Sequence, residues 1–126
     1  MLYDSTFLIH FAGHRGQKQR EVARAFLRAN PDAPVYTSRV AWAEFAEGCL
    51  TAEEVERHME PFTVIEIGEH VAWTASRISR DLDRRGLHIG DNDVWTAATA
   101  LAYRIPLVSR NARHFERVPG LAIEEY

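Results

Sequence analysis

The sequence is poor in cysteine and lysine and has no long apolar run. The scarcity of cysteine and the missing apolar run each exclude a class of protein. Cys49 is the only cysteine, so no internal disulfide can form, and a reducing, cytoplasmic location is expected. No segment has the length and hydrophobicity of a membrane span, so no membrane partner is expected. The first residues also lack the basic region and the small-residue cleavage site of a secretory signal.

Length and charge limit the remaining classes. A chain of 126 residues with 46% hydrophobic content can bury one core, so we predict a single domain over 1–126. The net charge of -3 argues against a protein that coats nucleic acid by bulk attraction, although it does not exclude a nuclease. Lys18 is the only lysine among 15 basic residues. Arginine suits bidentate phosphate contacts, but a GC-rich genome produces the same bias, so both explanations stay open.

The apolar periodicity alternates between strand and helix along the chain. This alternation predicts an α/β fold, in which a parallel sheet has helices on both faces. The order of the strands cannot be read from the periodicity. The predicted strands are 2–3, 35–36, 62–65, 106–109 and 121–123. The predicted helices are 17–29, one that bears Glu44 and is capped by Thr37 or Ser38 and ended by Gly48, 52–59, 70–85 and one capped by Asp91. A loop or helical turn is predicted at 7–9 and a helical turn at 112–115.

Three isolated carboxylates stand where the fold does not require an acid. Asp4 follows the first strand, Glu44 lies midway along an amphipathic helix, and Asp93 opens an apolar helix. In an α/β fold these places can meet at the carboxyl edge of the sheet, where ligands bind. Carboxylates that close repel one another unless a divalent cation neutralises them, so a Mg²⁺ or Mn²⁺ site is the first hypothesis.

Each carboxylate also has a purely structural interpretation. Asp4 is a suitable N-cap for the turn that follows it. Glu44 lies on a strip that we expect to be buried, where a salt bridge to Arg110 would compensate its charge. Asp91 is the better cap for the helix that contains Asp93, because Gly90 precedes it and the apolar stripe begins afterwards.

Other polar residues are weaker candidates for a site. Asn111 follows the fourth strand and could hold a metal-bound water, although a loop asparagine more often caps a helix. The six histidines show no metal-ligand spacing such as that of the His-Glu-x-x-His helix motif, so zinc is not expected. No Gly-rich phosphate loop is present, because the segment 13–16 lacks the required lysine and serine.

Five short motifs stand in order along the whole chain. The motifs are Asp4 to Ile9, Glu44 to Gly48, Ile89 to Asp93 leading into Ala97 to Ala100, Val108 to Asn111 with Phe115, and Val118 to Leu121. Together they resemble the PIN-domain ribonucleases, and most of all the VapC toxin branch of toxin–antitoxin modules. The block from Ile89 to Leu121 is the most specific part of the resemblance.

The resemblance implies a three-layer α/β/α sandwich with about five mainly parallel strands and a Mg²⁺- or Mn²⁺-dependent endoribonuclease activity. It implies a homodimer, an RNA substrate and a VapB-like antitoxin that blocks the site. The catalytic and metal-binding residues would be Asp4, Glu44 and Asp93. Outer support would come from Asp91, Asn111 and Thr6. The candidate contacts to RNA phosphates are Arg15, Arg39, Arg110 and Arg113.

Asn111 stands where the family has a fourth acid, and this weakens a second metal site. Two other function classes remain as alternatives. A receiver-like signalling domain also binds Mg²⁺ at a sheet edge, but it requires paired acids after the first strand and a lysine after the last. A PIN fold that has lost catalysis could serve as a binding or scaffold protein, although all three acids are intact here.

Overall fold

The computed structural model describes all 126 residues as a five-stranded sheet with seven helices. The strands are β1 (Leu2–Tyr3), β2 (Tyr36–Ser38), β3 (Thr63–Ile65), β4 (Leu107–Val108) and β5 (Ile123–Glu124). The helices are α1 (Ser5–Ala12), α2 (Gln17–Ala29), α3 (Arg39–Ala46), α4 (Ala52–Met59), α5 (Glu69–Arg84), α6 (Asp91–Tyr103) and α7 (Ala112–Phe115).

All strands of the sheet are parallel, in the order β3-β2-β1-β4-β5. The central strand β1 pairs with β2 on one side and with β4 on the other. The chain first adds β2 and β3 to one side of β1 and then crosses over to add β4 and β5 to the other side. The connections therefore reverse direction between β1 and β4, which opens a crevice at their carboxyl ends.

The two faces of the sheet bury separate hydrophobic cores, because successive side chains in a strand point to opposite faces. Leu2 and Leu107 belong to the core beneath α5, α6 and α7. Their neighbours Tyr3 and Val108 belong to the core beneath α1, α2, α3 and α4. The predicted three-layer α/β/α architecture with a parallel sheet of five strands is therefore confirmed.

Helix α5 shows how the spacing of apolar residues predicts a surface helix. Its buried residues lie on one face at helical spacing, as the sequence predicts. The rest of the helix is polar and largely exposed. None of the helices in the molecule has both the length and the hydrophobicity needed to cross a bilayer. The buried residues are Val71, Ala75, Ile78 and Leu82.

Two helix starts differ from the sequence prediction. Where a short turn was expected at 7–9, α1 is a full helix of eight residues, because Asp4 caps its start and Gly13 ends it in the left-handed conformation (φ 91°). The prediction that Asp91 caps α6 is wrong. Gly90 occupies the N-cap position with φ 89°, which only glycine adopts freely, so the helix begins one residue earlier and Asp91 is its exposed first residue.

Candidate active site

The first acidic residue, Asp4, lies at the crevice between β1 and β4. Asp4 follows β1 directly and Ser109 follows β4 directly, so the parallel register places them side by side. The side chain of Asp4 is only 6% exposed. One of its oxygens accepts the Phe7 N–H at 2.8 Å, and the other accepts the Ser109 hydroxyl at 2.5 Å. Asp4 is therefore both the cap of α1 and a carboxylate held in a fixed orientation.

Helices α3 and α6 bring the other two acids to the same crevice. The buried hydroxyls of Ser38, the N-cap of α3, and Thr96, on α6, lie 3.2 Å apart and join the two helices. Glu44 then faces the start of α6, where its Oε1 accepts the Asn92 side-chain amide at 3.0 Å. Between them lies a cleft of about 390 Å³ lined by Glu44, Ile89, Gly90, Asp91, Asn92 and Asp93.

The pKa shifts report that the three carboxylates influence one another. Burial raises the pKa of Asp4 to about 6; hydrogen bonds from Ser109 and Phe7 oppose the rise, and the charges of Asp93 and Glu44 add to it. Burial also raises the pKa of Asp93, against the contact with His114 and with the help of Glu44. Neither Asp4 nor Glu44 forms a salt bridge, so their negative charge is uncompensated by protein groups.

The alternative interpretation of Glu44, a salt bridge to Arg110, is wrong. Glu44 is partly exposed rather than buried, so its charge requires no protein partner. The Arg110 guanidinium instead donates to the side chain of Gln19 and to the carbonyl of Tyr126, and it stacks 4.8 Å above the Tyr126 ring. The carboxylate of Glu44 therefore remains available to a ligand in the cleft.

Three further groups orient the site. Ser109 accepts the Asn111 N–H at 2.9 Å while donating to Asp4. The Nδ1 atom of His114 lies 2.7 Å from the Asn111 side-chain nitrogen and 3.5 Å from a carboxylate oxygen of Asp93. His114 therefore connects Asn111, which follows β4, to Asp93 on α6.

The sequence had singled out none of Ser109, Asn92 and His114 for a role. Ser109 carried a usable signal, since it directly follows β4 at the carboxyl edge, whereas the approach of His114 to Asp93 depends on how α7 packs.

Thr6 and Asp91, expected to give outer support, are both exposed. The four arginines expected to contact RNA divide into two pairs. Arg15 and Arg113 are exposed, while Arg39 pairs with Glu66 and Arg110 with Gln19.

The donor set fits a hard divalent cation. Three carboxylates face one region without a neutralising lysine or arginine, and the pKa values of Asp4 and Asp93 are raised, mainly by burial and additionally by the charge of the neighbouring acids. A cation with oxygen ligands would remove this repulsion. The carboxylate oxygens of the three acids are not all within 4.8 Å of one another. The one group of ligand side chains whose ligand atoms are that close lies elsewhere in the molecule.

The raised pKa of Asp4 gives a testable dependence of stability on pH. An acid with a pKa of 3.8 when unfolded and about 6 when folded binds protons more tightly in the fold, so its stabilising contribution is lost as the pH rises between these values. In EDTA, Asp4→Asn is therefore expected to be more stable than the wild type at about pH 7, by on the order of 3 kcal/mol.

This advantage should shrink by on the order of 1 kcal/mol when the pH is lowered from about 7 to about 5. Asparagine retains the cap of α1, so the comparison isolates the charge. Thermal melts of both proteins at the two pH values provide the measurement. An advantage that does not change with pH would contradict the assigned burial of the charge.

Comparison with known proteins shows the family of the chain. The family model described as PIN domain matches residues 1–121. Ribonuclease VapC2 of Haemophilus influenzae is 33% identical over 96 residues, which cover 71% of this chain and 73% of that protein. Ribonuclease VapC1 of Methanocaldococcus jannaschii is 36% identical over 67 residues, 53% of this chain. The chain matches about half the length of this relative and of two Rickettsia proteins, 49% to 54%.

Solved structures share the fold over the whole chain. VapBC2 from Rickettsia felis, bound to a DNA fragment from its promoter, superposes with a TM-score of 0.79 at 19% identity and covers 100% of this chain and 99% of that one. VapBC-1 from nontypeable Haemophilus influenzae superposes with a TM-score of 0.78 at 24% identity and covers 99% and 98%. By its sequence match from residue 1 to residue 121, this chain belongs to the PIN domain family.

Proposed function

We propose that this protein is a metal-dependent endoribonuclease that acts as the toxin of a VapBC-like toxin–antitoxin pair. One observation carries the proposal: Asp4, Glu44 and Asp93 meet at the crevice between β1 and β4 with no salt bridge to Asp4 or Glu44. Unpaired acids at this place favour a ligand that is a cation. The names of the related proteins supply the class of substrate, since the relatives are ribonucleases.

Asp4, Asp93 and Glu44 would hold one Mg²⁺ or Mn²⁺, as the sequence predicts. When bound, such a cation lowers the pKa of its water and offsets negative charge on the phosphoryl oxygens during hydrolysis. The chain itself keeps the ligands in place. Ser109 fixes one oxygen of Asp4, the α1 backbone fixes the other, and Asn92 holds Glu44 towards the cleft.

Glu44 is the residue best placed to orient the attacking water. It is partly exposed, its carboxylate has one oxygen hydrogen-bonded to Asn92, and it borders the cleft where a phosphodiester could enter. Asp4 is buried and Asp93 is partly buried with a pKa raised mainly by burial, so these two acids are proposed to hold the cation. Asp91, Asn111 and Thr6 are proposed to support the outer shell, with Asn111 acting through its contact with His114.

Arginines near the crevice are proposed to contact the RNA backbone. Arg15 and Arg110 both lie close enough to His10 to lower the pKa of its ring, after burial as the main cause, so they share one side of the molecule. Arg15 and Arg113 are exposed without an ion pair and are the better candidates. Arg39 must first leave Glu66 to reach a phosphate.

The partner is proposed to be a VapB-like antitoxin, because several solved relatives are described as VapBC or toxin–antitoxin complexes. The homodimer stays a prediction from the resemblance. A cytoplasmic location is proposed from the single cysteine and from the RNA substrate. The single domain over 1–126 is likewise a proposal.

The two alternatives are less consistent with the molecule. A receiver-like domain has the strand order 2-1-3-4-5, whereas this sheet has the order 3-2-1-4-5. A catalytically inactive scaffold would not need to keep three acids at one crevice, where the raised pKa values of Asp4 and Asp93 cost stability.

The proposed function is tested by incubating the purified full chain with single-stranded RNA and adding Mg²⁺ or Mn²⁺. Cleavage is expected with either cation, is expected to stop in excess EDTA, and is expected to return when the cation is restored. Cleavage that continues in EDTA would contradict the metal requirement. Metal-loaded protein that never cleaves RNA but still binds a coexpressed antitoxin would favour the scaffold alternative.

A further inference from the structure

A second group of metal-binding side chains lies away from the acidic crevice. His14, Glu54 and His58 each offer one ligand atom, and these three atoms all lie within 4.8 Å of one another. We propose that this triad binds a zinc-type cation and thereby ties the turn between α1 and α2 to helix α4. The sequence alone did not indicate this site, since 40 residues separate His14 from Glu54.

The spacing of the ligands fits zinc. Zn–N and Zn–O bonds of about 2.0 to 2.1 Å in a tetrahedral shell place neighbouring ligand atoms roughly 3.4 Å apart. The Nε2 atom of His14 lies 3.5 Å from Oε1 of Glu54, in agreement with this edge length. Glu54 and His58 are four residues apart on α4 and therefore project from the same face of the helix.

The two imidazole rings are held in place before any metal arrives. His14 stacks on the Phe45 ring at 5.4 Å between ring centroids with an interplanar angle of 13°. His58 contacts the same ring edge-on at 5.8 Å. Phe45 is fully buried on α3, so one fixed aromatic residue orients both histidines.

Glu54 is also fixed by the fold. Its Oε2 accepts the Leu50 N–H at 3.0 Å, which leaves Oε1 directed at His14. Glu54 is the only acid of the triad, and Arg20 and Arg57 are close enough to help lower the pKa of His58, after burial as the main cause. The carboxylate must therefore supply the charge that compensates the cation.

The ligand types separate this site from the acidic crevice. Two imidazole nitrogens and one carboxylate suit Zn²⁺ and similar transition metals, whereas three carboxylates suit Mg²⁺ and Mn²⁺. Three protein ligands leave a fourth position for water. The proposed site lies beside α3, the helix that carries Glu44. A cation bound there stabilises the position of this helix at the crevice and takes no part in the chemistry.

The test measures Zn²⁺ binding by calorimetry on the full chain without an affinity tag, and then Co²⁺ binding by its visible spectrum. The wild type is expected to bind one zinc with a melting temperature that rises in Zn²⁺. His14→Ala and Glu54→Gln should each weaken this binding by at least about tenfold and remove the thermal shift. His88→Ala is the matched control, since His88 is an exposed histidine outside the triad, and it should bind like the wild type.

Asp93→Asn separates the two sites, because it alters the crevice and leaves the triad intact. It should retain the zinc binding that His14→Ala loses. His14 lies in the turn between α1 and α2 with 28% of its side chain exposed, and circular dichroism in EDTA verifies that His14→Ala stays folded. Equal zinc affinity in the wild type, His14→Ala and Glu54→Gln, or loss of the zinc in Asp93→Asn, would overturn the proposal.

Discussion

Asp93→Asn is expected to reduce RNA cleavage by more than about 100-fold while the protein stays folded, since even outer partners of metal ligands typically contribute 10- to 100-fold. Asparagine keeps the size of the side chain but removes the charge that the cation requires. The fold should not suffer, because burial and Glu44 both raise the pKa of Asp93 and the neutral residue relieves that cost. Cleavage rates at saturating Mn²⁺, together with thermal melts, provide the measurement.

Asp32→Asn is the matched control, as Asp32 is an exposed aspartate in the turn after α2. It should cleave RNA at the rate of the wild type. In addition, Mn²⁺ should raise the melting temperature of the wild type more than that of Asp93→Asn. A melting temperature for Asp93→Asn far below that of the wild type in EDTA would mean that Asp93 has a structural role, and the assignment to the metal would be wrong.

Ser109→Ala is expected to lower cleavage by about 10- to 100-fold through its effect on Asp4. The hydroxyl donates to Asp4 and lowers the pKa of this carboxyl, so its removal raises that pKa further and favours the protonated acid, which binds a cation poorly. The loss should therefore be larger at about pH 6 than at about pH 8. Cleavage measured across this range separates the positioning role from a general loss of structure.

Ser109→Ala also removes the acceptor of the Asn111 N–H, and because Asn111 is exposed and water can replace the hydroxyl, this should cost only about 1 kcal/mol of stability. Ser76→Ala is the matched control, because the Ser76 hydroxyl is exposed and bonds only within its own helix and to a neighbouring arginine. An equal loss of activity at both pH values would indicate that Ser109 acts through stability alone.

The periodic elements could be read from the sequence because their signals are local. The apolar stripe of α5 predicted its limits to within one residue at each end, since every fourth or third residue had to face the core. The short strands were less well defined: β5 lies at Ile123–Glu124 rather than 121–123, because a strand of two residues has no periodicity to measure.

Helix starts were harder, because they depend on backbone conformations as well as side chains. Asp91 has the better capping side chain, yet the positive φ of Gly90 decides where α6 begins. Likewise, α1 is longer than the predicted turn because Asp4 and Gly13 act together at its two ends. Neither result follows from the propensity of a single residue.

The sequence by itself determined the family, since the PIN domain model matches residues 1 to 121, and it supplied the three acids that are proposed to form the site. The tertiary structure decided which groups meet. Ser109 reaches Asp4 across 105 positions, and His14 approaches Glu54 across 40, because strand order and helix packing determine such contacts. Local sequence carries no record of these long-range distances, so the partners of each acid became known only from the fold.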